Sequence, residues 1–213
     1  MAAKVCARRS TVQRSDVQQY YLDVRHRTHA LCQPLAIEDY VVQPVVSVSP
    51  PKWHLAHTTW FFETFVLQPY TTGYTPYHPL YSYLFNSYYQ HVGERWERPK
   101  RGDLSRPTVQ DVYAYRAAVD DRMMQLIDTL DAPQWSAVYD RIVLGLHHEQ
   151  QHQELLVTDI KYILATNPLH PVYHAAPQST SSPSGSAAHF IPFAGGTYEI
   201  GYDSAGFCFD NEQ

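Results

Sequence analysis

Apolar and aromatic positions recur at helical spacing in four stretches of the chain, and that rhythm predicts its architecture. Over residues 16–31 they fall at Val17, Tyr20, Tyr21, Val24 and Leu31, with Asp16 near the start. From Lys52 to Gln68 the stripe Trp53, Ala56, His57, Trp60, Phe61, Thr64 and Phe65 keeps the three-four step. Ser49-Pro50-Pro51 opens it, because proline's fixed φ suits a first helical turn. A third helix starts at Pro107-Thr108 and runs through Val112, Tyr115, Val119, Met123, Leu126 and Leu130, with Asp131-Ala132-Pro133 closing it. The fourth covers about 134–165 and carries Leu144, His148, His152, Leu155 and Leu156 on one face. Pro34, Pro44, Pro50 and Pro51 punctuate the first crossover, and 69–108, dense in Tyr, Pro and Gly, reads as a long loop. The expectation is a mainly α fold, a four-helix bundle with long crossovers over residues 16–170.

After Asn167-Pro168 the pattern changes. The Ser/Pro/Gly-rich run from Gln178 to Ser186 predicts a flexible linker, taken as 171–188. Beyond it, Phe190 to Gly201 reads as short β segments around Gly195-Gly196. A strand pair of that size cannot stand alone. Residues 189–213 are therefore expected to open a second, β-containing α+β domain that is mostly missing.

Composition narrows the function. A 213-residue chain with 44% hydrophobic and 17% charged residues can build a core. Net charge is -5 and the pI near 6.1, so no basic face invites nucleic acid. The 17 Tyr and 4 Trp exceed what core filling needs and suggest a pocket walled by amphipathic rings. Cys6, Cys32 and Cys208 form no CxxC pair or disulfide framework, which fits a reducing cytosol. Lys4, Arg8, Arg9 and Arg14 precede no apolar h-region, and no stretch approaches the roughly 18 apolar residues of a spanning helix. The expectation is a cytoplasmic chain without a membrane partner.

The chemistry concentrates in two clusters, Trp53-His54-Leu55-Ala56-His57 and His147-His148-Glu149-Gln150-Gln151-His152-Gln153-Glu154. His148 and His152 stand one turn apart on one helix face, so both imidazoles can reach one metal ion. His57, on an apolar stripe, supplies a third nitrogen, and an inward imidazole needs a partner. Three nitrogens with further positions open make a catalytic rather than a structural site. His54 competes with His57 as the ligand, and His147 with His148. A rival reading takes His148-Glu149-Gln150-Gln151-His152 as the zinc-hydrolase motif, with Glu149 as general base. Gln151 is placed to hydrogen-bond a substrate near the metal. Arg98 and Arg101, three apart in a Pro/Gly loop, form a candidate fork for a small carboxylate. Tyr88 and Tyr89 are candidate wall residues.

Together these segments resemble a known family. Ser49 to Glu63 resembles the first metal motif of the sulfoxide synthases of ergothioneine biosynthesis (EgtB-type), and His148 to Leu155 resembles the second. The order is also similar: a DinB-like four-helix bundle, then a formylglycine-generating-enzyme-like (C-type-lectin-like) domain, whose opening Phe193 to Gly201 and Phe207 to Glu212 resemble. The resemblance implies a non-haem Fe(II) held by His57, His148 and His152. It implies that the thiol of cysteine or γ-glutamylcysteine is joined to the imidazole of hercynine, with O2 consumed and a sulfoxide formed. Gln151 would contact the histidine-derived substrate, and Arg98 and Arg101 a carboxylate of the sulfur donor. Tyr88 and Tyr89 would match a catalytic-site pair found in part of the family. The family's proton-donating tyrosine belongs to the second domain, so the 213 residues as given are expected to bind metal without turnover. A selenoneine-type or ovothiol-type synthase shares the same reaction class. From another class come a zinc-dependent DinB-like hydrolase or thiol transferase using Glu149, and a non-catalytic metal-binding bundle.

Overall fold

A computed structural model describes residues 13–87, 93–175, 188–203, 207–209 and 212. The bundle occupies the compact unit Thr11–His174. Its long helices are α1 (Arg14–Cys32), α2 (Pro51–Phe62), α5 (Val109–Thr129) and α6 (Ala132–Thr166). α2 continues through a π-helical turn, Glu63–Leu67, into the short α3 (Gln68–Tyr70). The four expected helices are thus present, and both α1 and α2 pack against α5 and α6.

Local chemistry places the helix ends. Pro51 is in the first turn of α2, where its missing N–H costs nothing. Thr108 caps α5, its hydroxyl accepting from Asp111 N at 3.1 Å while Asp111 Oδ2 accepts from Thr108 N at 2.9 Å. Asp131 was expected to close α5. It instead opens α6, accepting from Gln134 N at 2.8 Å. The Pro that cannot continue one helix is well placed in the first turn of the next.

Every residue of α2 is buried, so this helix is the centre of the bundle rather than an amphipathic surface element. Trp60, Leu55, Phe62, Val112, Met123, Ile142, Leu146 and Leu156 form the core around it. On α6 the expected face holds only in part: His148 and Leu156 are buried as expected, but Leu144 and Leu155 are exposed and Ile142, Gly145 and Leu146 are buried instead. Helical periodicity allowed either stripe, and contact with α2 selected this one. At Gly145 the two helices approach too closely for a side chain. A Cβ there would stand 2.6 Å from Phe62 Cε1 and 3.0 Å from Phe61 Cε1.

The crossover 69–108 is more ordered than a loop, since it contains α4 (Tyr81–Phe85) and a 3₁₀ segment, Arg98–Asp103. Another 3₁₀ turn, Ile37–Val41, lies in the first crossover. The described residues beyond Ala175 belong to a second unit. No strand forms among them, although a bend does occur at Gly195 and Gly196. The expected β segments are therefore not built there, in keeping with the need of a strand pair for further partners. No helix among the described residues is long and apolar enough to cross a membrane.

Candidate metal centre

The two histidine clusters converge. His57 from α2 and His148 and His152 from α6 each offer a ring nitrogen, and these three atoms lie within 4.8 Å of one another. Ring centroids are 4.6 Å apart for His148 and His152, 4.7 Å for His57 and His152, and 5.1 Å for His57 and His148. His57 and His148 are buried and His152 is half-buried. The close approach at Gly145, one turn before His148, brings α6 near enough for this meeting.

Hydrogen bonds assign the ring nitrogens. The Phe85 carbonyl can only accept, so His57 Nδ1, 2.5 Å away, donates to it and leaves Nε2 with its lone pair. His152 Nδ1 lies 2.9 Å from His54 Nδ1, so its Nε2 is the nitrogen not engaged with His54. His148 Nδ1 is buried with no hydrogen-bond partner among the described residues. A buried imidazole nitrogen without a partner is costly in a closed core and natural beside a cation. The donor set thus fits a divalent metal that accepts imidazole and keeps open positions.

Electrostatics point the same way. Burial pushes all three imidazoles toward the neutral form, helped at His57 and His152 by the neighbouring rings. His148 is lowered to about 4, again chiefly by burial. Their lone pairs are therefore available at neutral pH. Rings hold the site in place: His57 is stacked between Trp53 (4.5 Å, 11°) and Trp60 (5.4 Å, 19°), and Phe61 lies 4.7 Å from His148.

The profile of the DinB superfamily matches residues 20–156. This chain belongs to the DinB superfamily. No curated protein matches it.

Within this DinB domain the other candidates separate. His54 is not a rival ligand, because its nitrogens are taken by His152 and by Asp159 Oδ2, 2.9 Å away. His147 stands outside the triad. Glu149 is turned away from the triad: its carboxylate, fully buried, accepts from Arg25 Nη1 at 2.9 Å, from Thr28 Oγ1 at 2.6 Å and from Arg116 Nη2. Burial by itself would raise its pKa, but Arg116 and Arg25 outweigh burial and hold it at about 2. A carboxylate so engaged by two arginines is a poor general base, which counts against the zinc-hydrolase role given to Glu149.

Arg98 and Arg101 do share a hollow of about 320 Å³, lined also by Ser87, Arg95, Trp96 and Glu97. Arg101 is buried, bonded to Ser49 Oγ (2.8 Å) and Ser87 Oγ (3.3 Å). Its guanidinium lies 3.3 Å from the centroid of the Trp53 ring, which is in turn stacked on His57. The arginine hollow and the histidine triad are thus joined through one indole. Arg98 is exposed and donates to Ser47 O at 2.7 Å. Gln151 is exposed on α6, next to His152. Tyr88 and Tyr89 lie outside the described residues. A larger hollow of about 640 Å³ near Thr72, Tyr74 and Arg122 contains none of the histidines.

Sequence reasoning missed the groups behind the triad. The Phe85 carbonyl had no signal, because α4 lay hidden in a Tyr-rich segment. Asp159 was detectable in principle, since it lies two helical turns after His152 on the same face.

Proposed function

We propose that this chain is the metal-binding module of a non-haem Fe(II), O2-dependent sulfoxide synthase. Its reaction would form a C–S bond between the thiol of cysteine or γ-glutamylcysteine and the imidazole of hercynine. The observation that carries the reading is the triad of His57, His148 and His152, neutral and with ligand atoms within 4.8 Å of one another. A bound Fe(II) would supply open coordination positions at which a thiol and dioxygen meet. The chain's own groups bind and orient. Arg98 and Arg101 would take the carboxylate of the sulfur donor, and burial against Trp53 strengthens the charge of Arg101 toward an anion. Gln151 would hydrogen-bond hercynine from the helix face beside His152, and Tyr88 and Tyr89 would line the substrate. With both substrates held, the domain lowers the entropic cost of their encounter rather than moving protons through Glu149.

The test is anaerobic Fe(II) titration of the chain and of His57→Ala, His148→Ala and His152→Ala, followed by γ-glutamylcysteine on the Co(II)-substituted protein. One tight equivalent, lost in each variant, and a thiolate-to-metal charge-transfer band that weakens in Arg101→Ala are expected. Preference for Zn(II) with thiol-independent hydrolysis, or retention of metal by His57→Ala, would overturn the reading.

A further inference from the structure

Behind the triad, four groups form a chain with a single sense of proton donation. Asp159 Oδ2 accepts from the backbone N–H of Ser49 at 2.9 Å and lies 2.9 Å from His54 Nε2. His54 Nδ1 lies 2.9 Å from His152 Nδ1. His54 is buried at 3% exposure and Asp159 at 8%. Two ring nitrogens facing each other at this distance need one proton between them. The carboxylate decides who carries it. Asp159 can only accept, so a neutral His54 places its proton on Nε2 and presents a lone pair at Nδ1. His152 must then donate from Nδ1, and its Nε2 keeps the lone pair that a metal requires.

We infer that His54 and Asp159 are a positioning dyad that selects the Nδ1–H tautomer of His152 and so turns its Nε2 lone pair toward the triad. The inference rests on the metal-site reading above. The opposite proton order, with His54 donating to His152, would put a proton on His152 Nε2 and shut one ligand off. Ser49 immediately precedes the prolines that start α2, and its N–H holds Asp159 Oδ2 in place. The first turn of α2, the far part of α6 and the metal ligand are thereby coupled through two side chains. Phe85 O performs the same selection for His57, so two of three ligands have their tautomer set by acceptors on other elements.

Long-range ¹H–¹⁵N correlation spectra of the metal-free chain at neutral pH test this directly, with Fe(II) affinity measured alongside. Wild type is expected to show His152 as the Nδ1–H tautomer. His54→Leu, which removes the acceptor while keeping bulk, should mix the tautomers and weaken Fe(II) binding about 10- to 100-fold. His54→Asn puts an oxygen near the former Nδ1 and should restore both the Nδ1–H signal and most of the affinity. A merely structural His54 would move neither the tautomer nor the rescue. An Nε2–H tautomer in wild type, or unchanged tautomer and affinity in His54→Leu, overturns the dyad. The expected tautomers without any Fe(II) binding in wild type would support the dyad as a proton lock and overturn the metal reading instead.

Discussion

Replacing Glu149 by Gln distinguishes a keystone of the bundle from a catalytic base. Arg25 and Arg116 are both at or below 1% exposure, and with Glu149 and Asp120 they form a cluster whose formal charges cancel. Losing one carboxylate does not affect the two arginines equally. Arg25 keeps Asp120 Oδ1 at 2.6 Å and Thr59 Oγ1 at 3.1 Å. Among the described residues Arg116 has no second carboxylate; it retains Thr58, Thr59, His29 and the Arg25 carbonyl. The amide of Gln accepts only through one oxygen and turns an N–H₂ toward a guanidinium. Removing one partner from a buried ion pair costs about 3–5 kcal/mol, and the remaining neutral acceptors around Arg116 place Glu149→Gln toward the lower figure. For a domain of this size each kcal/mol moves Tm by about 2–4 °C, so a fall on the order of 10 °C is expected. The assay is urea and thermal unfolding of the metal-free chain followed by far-UV circular dichroism, with Fe(II) affinity of the folded variant measured below its midpoint. Affinity should stay within a few-fold of wild type, because the Glu149 carboxylate is turned to Arg25, Thr28 and Arg116 rather than hydrogen-bonded to the triad. An unchanged Tm together with Fe(II) affinity lowered more than tenfold would refute the structural account.

Gly145→Ala drives a methyl into the Phe62 and Phe61 rings, one of them already held edge-on by Tyr21 at 4.9 Å. It should cost about 1–3 kcal/mol by overpacking and weaken Fe(II) binding as α6 shifts, read by unfolding midpoint and titration together. Acid should destabilise the metal-free chain within a defined window. Burial, followed by the charge of Arg116, holds His29 at about 4, and burial holds His148 at the same value. Unfolded histidines titrate near 6.5, so the unfolded chain takes up protons first as pH falls. Stability should be full above about pH 6.5, decline to about pH 4, and decline less steeply in His29→Gln; a flat urea midpoint across that range contradicts the burial argument. Arg101→Lys keeps charge but loses the planar contact with Trp53 and the two-serine fork. Thiol-donor affinity is expected to fall more than tenfold while Fe(II) affinity changes little, and calorimetry with γ-glutamylcysteine checks it.

The long helices were readable because each must bury a stripe, and a stripe has a period. Thr108 with Asp111 shows how far local rules reach, since a capping box needs only its own four residues. His148 and His152 belonged to this class: their shared face follows from one turn of helix, and His57 followed from its place in an apolar run. What neighbours decide was not readable. Which stripe of α6 faces inward depends on where Gly145 admits Phe62, so Leu144 and Leu155, equally periodic, ended in solvent. Glu149 fitted a hydrolase motif by spacing, yet two arginines from α1 and α5, far away in sequence, claimed its carboxylate. His54 stood as a rival ligand until Asp159 and His152 took both of its nitrogens. Spacing along a helix sets which side chains share a face, whereas the role of a titratable group is set by the charges that other elements bring to it.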